Sequence, residues 1–86
     1  MTKAHELFWL AHYAFNTIQP ILDELNTGLE GRARAGQNIT VKPGYQSIEI
    51  FVFGYSDGRC EALGSAYNVV DKKPIDMLAE KLRAKL

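Results

Sequence analysis

The chain has 86 residues, of which ten are basic and ten acidic, so its formal net charge is zero; 47% of it is apolar and 23% charged. That length holds one hydrophobic core with no room for a second, and the composition is that of a globular domain rather than a disordered segment. Zero net charge gives no overall basic footprint for nucleic acid or for an anionic membrane, although it is compatible with a local patch.

Cys60 is the only cysteine, which excludes an internal disulfide and a cysteine-built zinc site and fits a reducing compartment. Met1-Thr2-Lys3-Ala4-His5-Glu6 does not read as a secretory leader, and no apolar run approaches the roughly 18 residues of a membrane span. The expected setting is therefore cytoplasmic, and Asn38-Ile39-Thr40 reads as a chance match to the glycosylation sequon. A chain of this size buries only about 60% of its unfolded surface, so a partner is the remaining route to added stability.

The periodicity predicts a helix over Thr2 to Thr27. Ala4, Ala11, Ile18 and Leu25 recur every seven residues, as do Leu7, Ala14 and Ile21, and Phe8, Phe15 and Leu22, which together make one wide apolar stripe. Thr2 suits the N-cap and Gly28 the C′ position. Pro20 is expected to kink this helix or to open a second short one. The segment Gly28–Gln37 has three glycines within nine residues and carries Arg32 and Arg34, so it reads as a mobile loop exposing two cations.

A β region follows. Asn38 to Val41 is expected as a short strand. Lys42-Pro43-Gly44-Tyr45 reads as a type II turn, and Ser47 to Gly54, rich in Ile, Phe and Val, as the strongest strand. Asp57-Gly58 signals a hairpin into a third strand over Arg59 to Tyr67. The last element, Pro74 to Lys85, is an amphipathic helix with Ile75, Leu78, Ala79, Leu82 and Leu86 on one face; Lys81, Arg83 and Lys85 crowd its C-terminal end, where the helix dipole favours cations. The predicted fold is a single α+β domain over residues 1–86 in the order α-β-β-β-α, a three-stranded antiparallel sheet packed by a long and a short helix.

Two surfaces stand out. The second strand is apolar on both faces, with Ile48, Ile50 and Val52 on one and Phe51, Phe53 and Tyr55 on the other. Two helices cover one face of such a sheet readily and both faces with difficulty, so an open aromatic face competes with a straddled sheet. A two-residue hairpin loop would pair Phe53 with Ala62 and Phe51 with Gly64; a three-residue loop would place those small residues beside Ile50 and Val52. The first helix carries a second strip of His5, Trp9, His12, Tyr13 and Asn16, residue types enriched at protein interfaces. Trp9 and Tyr13 can also be read as widening the core stripe, for Trp9 at least as readily, whereas burial of the whole strip would leave the helix apolar nearly all round.

Catalytic and metal motifs are absent. His5 and His12 stand about 10 Å apart along a helix, too far to share one ion. Cys60 reads as a small buried hydrophobe, and Ser47, Ser56 and Ser65 lack a nucleophile-elbow context. Glu49 and Glu61 fall on opposite faces with a two-residue turn, and the Gly28–Gly36 segment has no phosphate-loop pattern. No enzyme activity, cofactor or small-molecule substrate is expected.

The order α-β-β-β-α, with Lys72 and Lys73 opening the last helix and Pro20-Ile21-Leu22-Asp23-Glu24-Leu25 before the sheet, resembles the double-stranded RNA-binding domain over about residues 20–86. That resemblance implies phosphate contacts by Lys72 and Lys73, joined by Arg32 and Arg34 on their loop. The chain departs from the family at Pro74 and Asp76, in lacking a Gly-Pro-x-His loop, and in its zero net charge. The preferred reading is a non-catalytic module that binds another protein, itself, or both, through His5, Trp9, His12, Tyr13, Asn16, Arg32, Arg34, Phe51, Phe53 and Tyr55. In general style it is similar to the inhibitor and accessory proteins of phages and mobile elements, which act by occluding a partner.

Overall fold

The computed structural model describes residues 3–27, 33–56 and 58–86, arranged as α1 (Lys3–Thr27), β1 (Ala33–Lys42), a 3-10 turn (Pro43–Tyr45), β2 (Ser47–Ser56), β3 (Arg59–Val69) and α2 (Lys73–Arg83). The order is the expected α-β-β-β-α, and the three strands form one antiparallel sheet in the order β1-β2-β3.

α1 runs unbroken for 25 residues through Pro20, so no second short helix begins there. Pro20 is exposed, which puts its ring on the solvent side of the helix, where the loss of one backbone donor leaves nothing unsatisfied in the core. Near its end Asn26 grips the start of β1. The Asn26 amide donates to the Ala35 carbonyl at 3.2 Å, and the Ala35 N–H donates to Asn26 Oδ1 at 2.7 Å. A side chain thus imitates a neighbouring strand along an edge that would otherwise lie unpaired.

β1 begins at Ala33, five residues before the expected Asn38, and pairs without a break from Ala33 opposite Ser56 to Lys42 opposite Ser47. The expected loop is correspondingly shorter. Residues 33–37 belong to the strand because β2 is long enough to partner them. Gly36 has a local reason to be glycine: a Cβ there would come within 2.8 Å of Phe53 Cζ, so the tip of the Phe53 ring occupies the space a side chain would need. The backbone of Arg34 therefore sits in β1 opposite Tyr55. Gly28, Gly31, Arg32 and Asp57 lie outside the described residues.

The turn after β1 is not type II. Gly44 has no positive φ; a 3-10 turn closes with Gln46 N–H donating to the Pro43 carbonyl at 3.1 Å, and Gln46 takes the left-handed conformation at φ 51°.

The β2–β3 hairpin combines the two registers that the sequence allows. Near the tip the two-residue alignment holds, with Tyr55 opposite Cys60 and Phe53 opposite Ala62. A register shift between Val52 and Phe53 then moves the pairing by one, placing Gly64 opposite Val52, Ser65 opposite Phe51 and Ala66 opposite Ile50. A further shift, beside Asn68 at φ 54°, brings Val69 opposite Ile48. These bulges set where α2 seats, since a Cβ on Gly64 would lie 2.8 Å from Leu78 Cδ1.

Both helices lie on one face of the sheet, with α1 packed chiefly against β1 and α2 against β3. The core consists of Leu7, Ala14, Ile18, Ile21 and Leu22 from α1, Ile48, Ile50, Val52 and Val69 from the sheet, and Ile75, Leu78, Ala79 and Leu82 from α2. Phe8 and Phe15, expected in the core stripe, are instead 64% and 47% exposed, while Leu22 in the same row is buried. A straight helix drifts by about 20° every seven residues, so this row starts on the outer flank of α1 and turns into the core only at its C-terminal end. Leu86, expected on the apolar face of α2, lies beyond that helix and is exposed.

Candidate interaction surfaces

Strand alternation sends Glu49, Phe51, Phe53 and Tyr55 to the face of β2 that neither helix covers. The Phe51 and Phe53 rings stack at 6.1 Å and 23°, and Phe53 meets Tyr55 edge-on at 5.5 Å and 79°. The three rings form a ladder along the central strand, favoured by the offset and edge geometries that aromatic quadrupoles prefer. Beside them β3 presents Cys60, Ala62 and Ser65, which are too small to bury the ring edges. Phe51 and Tyr55 are 36% and 50% exposed, and Tyr67, two residues beyond Ser65, is 61% exposed. The charges at the far end are satisfied locally: the Lys42 ammonium donates to Glu49 at 2.8 Å and lies 5.8 Å from the centre of the Tyr45 ring. The Glu49 contact holds the lysine above its ordinary value of 10.5.

The second surface is on α1. His5, Phe8, Trp9, His12, Phe15 and Asn16 are all exposed. Trp9, at 63% exposure, belongs to the surface rather than the core, and its ring meets His12 edge-on at 6.1 Å. Tyr13 differs from its neighbours. It is half-buried, its hydroxyl donates to Asp76 Oδ1 at 2.5 Å, and the Lys72 ammonium lies 4.8 Å from its ring centre. The bond to Asp76 comes first in holding the phenol above its ordinary value of 10.0, with partial desolvation adding to it. Tyr13 is thus a strut between α1 and α2. It forms one wall of an apolar groove of about 510 Å³ that Trp9, Leu10, Val70 and Lys72 also line.

Of the residues singled out in the sequence, the structure brings Phe51, Phe53 and Tyr55 together on one face, and His5, Trp9, His12 and Asn16 together on one helix. The backbone of Arg34 joins the sheet beside Tyr55. Lys72 and Lys73 are exposed at the start of α2, but Asp71 and Asp76 flank them, and Asp71 Oδ1 accepts the Lys73 N–H at 3.1 Å, so the local charge cancels. Phe8, Phe15, Tyr67 and Val70 were missed as surface residues. The heptad drift of α1 is the signal that separates Phe8 and Phe15 from the core row.

Cys60, expected to be buried, is exposed near the hairpin tip because β3 is an edge strand with an uncovered outer face. Among the described residues no group of three His, Cys, Asp or Glu side chains is placed to hold a metal ion, and no helix is long and apolar enough to cross a membrane. Glu49 faces outward in its pair with Lys42, while Glu61 stands opposite Gly54. Comparison with protein families, curated proteins and solved structures finds no match for this chain.

Proposed function

We propose that the chain is a small non-catalytic binding module whose open sheet face docks on a partner protein and occludes it, in the manner of phage and mobile-element inhibitors. The observation that carries this reading is the one-sided packing of the domain: with both helices behind the sheet, no described helix covers the Phe51–Phe53–Tyr55 ladder, whose outer members stay 36% and 50% exposed. An open aromatic face flanked by small side chains suits a flat, complementary protein surface, because aromatic rings give a large contact area at low cost in rotamer entropy. Within the described part of this face Lys42 and Glu49 pair with each other.

A photo-crosslinking residue placed at Tyr55, in the cells that make this protein, should yield one discrete heavier adduct. The same residue at Met77, exposed on α2, should yield none. Equal adducts at both positions, or none at Tyr55, would remove the basis for this reading.

A further inference from the structure

The outer side of α1 calls for an account of its own. A helix on the surface of a small domain ordinarily shows water a charged face, and one that is apolar all round is covered on both sides. α1 departs from the ordinary case: from Leu7 to Leu22 it has sixteen consecutive residues without a single Asp, Glu, Lys or Arg. Its core side accounts for Leu7, Ala14, Ile18, Ile21 and Leu22. Turned away from the core are His5, Phe8, His12 and Phe15, spaced three, four and three residues apart, with Trp9 alongside. Alternate three–four spacing is the repeat by which one helix lays a continuous seam against another.

We infer that this strip is the interface with a second copy of the same chain, the two α1 helices packing antiparallel about a two-fold axis near His12. This deepens the binding-module reading, on which it rests, by giving the helix strip to self-association and leaving the sheet face for the foreign partner. Two features select a second copy as the occupant. The first is charge. In a two-fold interface each residue near the axis meets its own counterpart, so a formal charge there would face a like charge. The strip carries none in its central portion, which makes it complementary to itself.

The second is area. Phe8, Trp9 and Phe15 are 64%, 63% and 47% exposed, which at about 200 Å² per aromatic side chain leaves about 350 Å² of ring surface in water. A standard-size dimer buries about 800 Å² per subunit, some 65% of it apolar in homodimers, or roughly 520 Å². Three side chains thus supply about two-thirds of the apolar contact that a stable pair requires. The length of α1, 25 residues or about 37 Å, accommodates the remainder along the same seam. About an axis at His12, Phe8 of one protomer falls beside Phe15 of its partner, and Trp9 beside Asn16.

The test is the solution mass, by light scattering on the intact chain at tens of micromolar, of the wild type and of Phe8→Glu and Phe15→Glu. The wild type should have twice the 9.6 kDa chain mass. Each charged variant should fall to a single chain with unchanged circular dichroism and an unchanged Tyr55 photo-adduct, because both positions lie outside the core. A wild type that is monomeric at this concentration overturns the inference, as does a dimer that neither charge disrupts. Should the charged variants fail to fold, crosslinking decides instead. In a Cys60→Ser background, His12→Cys should be joined to itself by a short thiol–thiol linker and Met77→Cys should not; equal or absent linkage at both sites overturns the inference. A monomer that sediments with phospholipid vesicles would mean that the strip serves a lipid surface, which also overturns it. Loss of the Tyr55 adduct with the dimer intact would instead defeat the sheet-face reading alone.

Discussion

At the scale of single residues, Tyr13 and Phe53 show how context assigns a role that residue type leaves open. Both are aromatic and both lie within apolar stretches. Phe53 reaches over β1 because Gly36 there has no side chain. Tyr13 is drawn inward because Asp76 and Lys72 meet its two polar features, the hydroxyl and the ring face. The neutral phenol donates the bond to Asp76, and a phenolate there would be repelled by the carboxylate, which is why its pKa is raised above 10.0. The contribution of this bond is therefore fully present below pH 10 and is lost as pH rises through the higher folded-state value. Tyr13→Phe should lower the urea midpoint modestly at neutral pH and flatten its decline above about pH 10. A residual slope is expected from Lys42, whose pairing with Glu49 is lost in the same direction. An alkaline decline as steep as that of the wild type would show that the Tyr13–Asp76 bond contributes nothing to folding.

At the scale of elements, small irregularities do the positioning. The seven-residue drift of α1 divides one sequence row into exposed Phe8 and Phe15 and buried Leu22. The register shift between Val52 and Phe53 lets β3 turn Gly64 toward α2 while keeping Ala62 beside Phe53. Gly64 is where that helix comes closest, so Gly64→Val should cost about 1–3 kcal/mol by forcing Leu78 from its position, read as a lowered urea midpoint with an unchanged slope. Gly44→Val, in open space and away from any positive φ, serves as the control and should cost far less. Equal costs at the two positions would mean that α2 does not seat on Gly64.

At the scale of the whole molecule, the decisive fact is that two helices and three strands make only two layers. Ile50 and Phe51 are neighbours in sequence and lie on opposite sides of the sheet, fully buried and 36% exposed respectively. A domain of 86 residues is stable by about 4–13 kcal/mol. Ile50→Ala, expected to cost about 2–5 kcal/mol, should remove a large share of that or prevent folding altogether. Phe51→Ala should leave a cooperatively folded domain with altered docking. Comparable loss of stability in both variants would mean that the outer face is covered in solution, and light scattering on Phe51→Ala would show whether a second copy provides the cover.

What the sequence determined by itself is whatever local periodicity and turn chemistry encode. The α-β-β-β-α order, the span of α1, the hairpin after Tyr55 and the doubly apolar character of β2 were legible because hydrophobic period, glycine and proline placement, and β-branched content act within a few residues of where they occur. Ile48, Ile50 and Val52 against Phe51, Phe53 and Tyr55 was readable as two faces; which of them the helices would cover was not. That depended on contacts between residues far apart in the chain. Asn26 holding Ala35 and β2 extending to Ser56 turned a glycine-bearing segment into strand, and the bulge that aims Gly64 at Leu78 placed α2 behind the sheet. Tyr13 was legible as an interface type of residue, but only the arrival of Asp76, sixty-three positions later, made it a strut. Local chemistry chose the elements, and the pairing of distant surfaces decided which of their faces remain open, because burial is a property of the assembled layers and no single element carries it.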